Sequence, residues 1–218
     1  MTTITAPISS PTIASSGRRW PKVAGVAYVG AWIVGLTAFG AGPASDASNA
    51  DVARYFADHR ALSAAQSLLI HGVAAVALFA VIAAVARTRT TPRAARTAGL
   101  VAVGLSLGQC VLDLWRSLVS TGSTTTTLVH TIDRIDGFKM LALAVMIEVS
   151  VTGLRHSGII GRRMATTGKI AAVALIVSGL AYAGAVSSLL VSAEVSLLLL
   201  LTWVGYLGFA TARRTGTV

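Results

Sequence analysis

The residues able to do chemistry fall on three helical stretches. Ser106, Gln109, Asp113, Arg116 with Ser117, and Ser120 recur at steps of three or four, so they share one face of a helix. Its other faces carry Leu105, Leu107, Val111, Leu112, Leu114, Leu118 and Val119. A second stretch repeats Ser63, Ser67 and His71 at every fourth residue. A third opens HTIDRIDGFK, which supplies His130, Asp133, Arg134, Asp136 and Lys139, with Glu148 further along. Ionisable residues on apolar helices suit three kinds of work. They lock helices together by charge, they bind or pass a small polar ligand, or, with His71 as base and Asp113 as its orienter, they move a proton in catalysis.

The stretches that carry these groups are long and apolar. Of 218 residues, 54% are apolar and only 12% charged, with a mean hydropathy of +0.74. A soluble domain of this length is rarely so apolar. A bilayer core about 30 Å thick takes about 20 apolar residues of helix. Six runs meet that need, at roughly 23–41, 64–86, 98–120, 132–154, 170–190 and 195–212. The expected fold is therefore all-α: a bundle of six transmembrane helices forming one domain over residues 21–214. The polar, proline-containing residues 1–20 read as a disordered cytoplasmic tail rather than a cleaved signal.

Charge orients the bundle. Most of the 18 Lys and Arg lie in four stretches free of acid: Arg18–Lys22, Arg87–Arg96, Arg155–Lys169 and the pair Arg213 and Arg214. The alternate connections carry Asp46, Asp51, Asp58 and Glu194. Under the positive-inside rule this pattern puts both ends of the chain in the cytoplasm. The expected location is the bacterial cytoplasmic membrane, with the bilayer as partner. The net charge of +10 belongs to these short loops and not to a nucleic-acid surface, since no aromatic residues interleave with it.

In the first outer loop, DVARYFADHR sets Val52, Tyr55, Phe56 and His59 on one face and Asp51, Arg54 and Asp58 on the other. It reads as a short amphipathic helix, lying on the membrane surface or over the outer end of the bundle. The segment TGSTTTTLVHT reads as an outer loop, and residues 192–194 as the tight turn between the last two spans. Ala174, Ser178, Ala181 and Ala185, and likewise Gly205 and Gly208, form small-residue seams for close helix approach.

Depth gathers the candidate site. At 1.5 Å per residue, Asp113 and His71 each lie about 10 Å below the outer ends of their helices. A polar stripe cannot face lipid, so it must turn inward. His71, Gln109, Asp113, Arg116, Asp136 and Lys139 are the expected ligand-binding set, with Tyr28 and Trp32 as walls. Asp113, Asp133 and Asp136 can balance Arg116, Arg134 and Lys139. Glu148 lies two-thirds of the way down its span, near the face of Asp133 and Arg134 and opposite Lys139. It reads as a cap on a second polar layer with Gln109 or as an acid held protonated by burial, either a proton-relay carboxylate or a neutral acid bonded to a neighbouring helix.

Several chemistries lack their residues. The single cysteine, Cys110, leaves no disulfide and no CxxC pair. Four histidines, of which His71 alone lies well inside a span, do not make a bis-histidine haem or three-histidine zinc site. Phosphate-binding glycine loops are missing. No cofactor and no metal is expected.

The runs VAYVGAWIVGL, GP, ADVARYFADHRALSAAQSLLIHGVAAVAL and DRIDGFKM resemble a group of small six-span bacterial membrane proteins, mostly actinobacterial, with no assigned activity. The resemblance spans roughly residues 20–212. It implies a helical inner-membrane protein and carries over no site.

Overall fold

A computed structural model describes residues 19–39, 47–118, 122–184 and 191–214. Seven helices and no strand occur among them. Helix α1 spans Trp20–Thr37, α2 Asn49–Asp58, and α3 Arg60–Arg87 with a π-helical segment at Leu68–Val73. Helix α4 spans Arg93–Leu118, α5 Gly122–His156, α6 Arg162–Ala183 and α7 Val191–Arg214. The tail, Gly42-Pro43, Ser120, Ala185 and the far end of the fifth expected span lie outside the described residues.

Local chemistry sets the boundaries. Pro21 occupies the first turn of α1, where its missing N–H costs nothing. Ser48 caps α2: its hydroxyl oxygen accepts from the Asp51 N–H at 3.2 Å and its O–H donates to the Asp51 carboxylate at 2.6 Å. Helix α5 ends in a Schellman turn. The Ile159 N–H returns to the Leu154 carbonyl and the Gly158 N–H to that of Arg155. Gly158 takes the positive φ of 68° that this turn demands.

The six long helices close into a ring, each packed on the next: α1 on α3, then α4, α5, α6, α7 and back to α1. Helix α2 packs on α5, over the end of the bundle remote from the basic turns. Small residues set the closest approach. A Cβ placed on Gly208 would lie 2.6 Å from the Pro21 carbonyl oxygen, and one on Gly25 would meet the Gly205 carbonyl oxygen at 3.0 Å. The seam foreseen at Gly205 and Gly208 is thus the contact between α1 and α7. Ser178 and Ser192 bond across α6 and α7 at 3.0 Å.

The bundle is inverted relative to a soluble protein. Val76, Val111, Val173 and Leu198 are exposed, whereas Gln109, Asp113 and Lys139 are buried. Apolar surface facing outward and polar groups facing inward is the arrangement hydrocarbon selects. Five helices, α3 to α7, are long and apolar enough to cross a membrane. Helix α1 has 18 residues, and its first turn spends three of them on Trp20, Pro21 and Lys22.

Two expected loops are helix instead. The threonine-rich segment forms the first turns of α5. Its threonines bond back along the helix, Thr127 to the Ser123 carbonyl and Thr131 to that of Thr127. Thr125, Leu128 and Ile132 form a buried edge at helical spacing, so packing outweighs the weak intrinsic helix preference of threonine. Residues 192–194 likewise belong to α7, which starts at Val191. The amphipathic helix is present, and it packs on the bundle end.

Candidate functional site

The polar stripe of α4 faces inward, as its periodicity requires. Ser106, Gln109 and Asp113 are buried. Arg116 reaches back one turn to Asp113, Nη2 to Oδ1 at 2.7 Å, with 10% and 6% of the two side chains exposed. Helix α3 supplies the flanking groups. The Ser67 hydroxyl donates to Asp113 Oδ2 at 3.0 Å, and Arg116 donates to the Ser63 hydroxyl at 3.2 Å. The four-residue serine repeat thus meets the pair rung by rung.

A second ion pair forms on α5. Lys139 holds Asp136 one turn earlier. Gln109 ties this pair to α4: its Nε2 donates to Asp136 Oδ1 at 3.0 Å and to the Ile132 carbonyl at 3.1 Å, and its Oε1 accepts from Lys139 Nζ at 2.9 Å. Every polar atom of this fully buried amide has a partner, which is what burial demands.

The π-helical segment places His71. Here the Ala74 N–H bonds the Leu69 carbonyl, five residues back. Such segments recur at functional sites because they widen the helix and re-aim its side chains. The Ser106 hydroxyl donates to the His71 carbonyl at 3.3 Å. The ring Nε2 stands 3.7 Å from Asp113 Oδ2, beyond hydrogen-bond reach. Trp32 of α1 meets the imidazole edge-on, with centroids 6.4 Å apart, and its ring lies 5.7 Å from Lys139 Nζ.

These groups border a cavity of about 750 Å³ at the α2 end of the bundle. His71, Asp113, Arg116 and Asp136 line it from α3, α4 and α5. Trp32, Tyr55, Phe56 and Tyr182 give it aromatic walls, and Asp133 and Glu194 add two further carboxylates. Below it lies a void of about 30 Å³, which shares Trp32, Asp136 and Met140 with the cavity and is lined also by Tyr28 and Lys139. That is room for a water or two. Gln109 lines neither space and braces the wall from behind.

Of the residues singled out in the sequence, His71, Gln109, Asp113, Arg116, Asp136 and Lys139 come together here. Arg134 and Glu148 do not: both are exposed on the outer side of α5, so neither belongs to the buried charge cluster. Gln109 spends its bonds on Ile132, Asp136 and Lys139, so the layer it forms does not include Glu148. His130 is exposed as well. Tyr182 and Glu194 are lining residues that the sequence reading passed over. Both sit at helix ends on the acid-bearing side, and that position was the available signal.

Long apolar helices around a buried polar interior define a multi-pass helical membrane protein. No family model, curated protein or solved structure matches the chain, so any functional reading rests on the site. Among the described residues, no group of three or more His, Cys, Asp or Glu is placed to hold a metal ion.

Proposed function

We propose that this is a six-span protein of the bacterial cytoplasmic membrane, with both ends in the cytoplasm and α1 as the sixth span, that binds or transports a small polar molecule through an outward-facing cavity. The cavity of about 750 Å³ carries the proposal. Its size lies in the usual range for small-molecule sites, which are mostly apolar with a few convergent polar groups.

Charge indicates the ligand class. The Asp113–Arg116 and Asp136–Lys139 pairs neutralise themselves. Asp133 and Glu194 have no ion-pair partner among the described residues. The lining then carries uncompensated negative charge beside aromatic faces, and both features attract an organic cation. The reading as an enzyme has less support, because His71 and Asp113 are not in hydrogen-bond contact. The reading as a scaffold is favoured by one observation: each ion pair closes within a single helix.

Trp32 in the wall gives a direct readout. Purified protein is titrated with small organic amines and, in parallel, with small carboxylates, while tryptophan fluorescence is followed. Saturable quenching by an amine, lost in Trp32→Phe and weakened in Asp133→Asn with Glu194→Gln, is the expected result. A response equal in Trp32→Phe, or no saturable response to either panel, would overturn the proposal.

A further inference from the structure

At the end opposite the cavity, α5 and α6 meet across the turn at residues 157–161. Spacing sets two polar ladders there. Thr152, Arg155 and His156 lie at i, i+3 and i+4 on α5, and Arg162, Thr166 and Lys169 at i, i+4 and i+7 on α6. Together they line a cleft of about 580 Å³. All four basic side chains are exposed. None has an ion-pair partner among the described residues.

One further feature bears on the occupant. Further along both helices the surface turns apolar, with Val145, Ile170 and Val173 all exposed. A soluble anion has no use for that apolar continuation, whereas a lipid with a charged headgroup and acyl chains fits both parts.

We propose that this cleft binds the phosphate headgroup of an anionic membrane lipid. Arg155, Arg162 and Lys169 hold the phosphate by charge-assisted bonds, His156 and the threonines line the same cleft, and the acyl chains lie along the valines and Ile170. Glu148 stands on the same exposed side of α5 one turn beyond Thr152. The site rests on the multi-pass character of the chain and is independent of the cavity at the other end.

The test uses delipidated full-length protein in neutral detergent. Thermal unfolding and retained-lipid mass are measured with phosphatidylglycerol, with phosphatidylcholine and with inorganic phosphate. Phosphatidylglycerol is expected to raise the melting temperature and to stay bound, with an affinity that falls as salt rises. Phosphatidylcholine and phosphate are expected to do neither. Arg155→Gln with Lys169→Gln should weaken phosphatidylglycerol roughly 10- to 30-fold, whereas Arg134→Gln at the other end of α5 should not. Equal responses to the two lipids would overturn the proposal, and this arm needs only the wild-type chain. An equal response to inorganic phosphate would make the cleft a free-anion site and overturn the lipid assignment. An unchanged affinity in the folded double variant would also overturn it.

Discussion

The Arg116 guanidinium lies 3.7 Å from the centre of the Phe56 ring. The same side chain holds buried Asp113 on its own helix. Helix α2, which looks peripheral in the chain order, is thereby joined to the charged centre of the bundle. Phe56→Leu keeps the apolar bulk and removes the ring, so it should cost about 0.5–2 kcal/mol. Phe56→Asp should cost more, because it also places a carboxylate among Tyr55 and the cavity wall. Asp51→Ala, an exposed change that weakens the cap, should fall below Phe56→Asp. Thermal unfolding in detergent ranks the three, and equal melting temperatures would mean that α2 does not pack on the bundle.

The buried pair separates a charge lock from a binding site. With so little of either side chain exposed, Asp113→Leu or Arg116→Met leaves an unpaired charge and should cost about 3–5 kcal/mol. The double variant should recover most of that, since apolar replacement of both partners is often neutral. Stability alone then shows the lock. Ligand response decides the rest: it should be absent in the stable double variant. A double variant that still binds as the wild type does would make the pair structural only.

The amide of Gln109 and the carboxylate of Glu148 make a matched contrast. Gln109→Leu strands Asp136 and Lys139 with fewer partners in a buried layer and should destabilise by about 1–3 kcal/mol. Glu148→Gln, on an exposed side of α5 with no partner among the described residues, should stay within about 0.5 kcal/mol. Equal effects in thermal unfolding would place Glu148 in the polar core after all.

Helix periodicity explains what could be read in advance. An inward polar stripe obeys a period that shows in one dimension, so Gln109, Asp113 and Arg116 were legible from α4 alone. The opposition of Lys139 and Glu148 across α5 was legible for the same reason. Which carboxylate meets which base was not, because rotamers decide it: both pairs closed within a helix although partners across helices were equally spaced. Charge balance alone misplaces Arg134, whereas the helical wheel, which sets it near Glu148 and opposite Lys139, accounts for its exposure. The π-helical segment at His71 leaves no mark in the pattern, since it adds a backbone register change inside an unbroken apolar run. Loops fared worst, as with the threonine-rich start of α5, where tertiary packing overrides a weak local preference.

Close approach of α1 and α7 makes a further prediction. Gly208→Ala would push a methyl to within 2.6 Å of the Pro21 carbonyl oxygen, and the atoms it meets are all backbone. The helices must separate, at about 1–3 kcal/mol. Gly30→Ala, on the same α1 but with nothing within 4 Å of its added Cβ, should be neutral or slightly stabilising, because alanine favours helix. Equal melting temperatures for the two variants would contradict the seam.

Orientation underlies the proposed outward placement of the cavity and is tested most directly by labelling. Ser48 and Ser123 are exposed at the α2 end, and Ala94 is exposed at the basic end. Single cysteines at these three positions, in a Cys110→Ala background, report which end faces the medium. Cys110 is buried, so its removal silences background reaction at the cost of a small packing loss. An impermeant thiol reagent added to intact cells should modify Ser48→Cys and Ser123→Cys. Ala94→Cys should react only after the cells are opened. Basic turns held inside by the positive-inside rule require this pattern. The reverse pattern would turn the cavity toward the cytoplasm and the basic cleft toward the outer leaflet. Labelling of both ends in intact cells would mean that α3 or α4 does not cross the membrane, since these helices separate Ala94 from Ser48 and from Ser123.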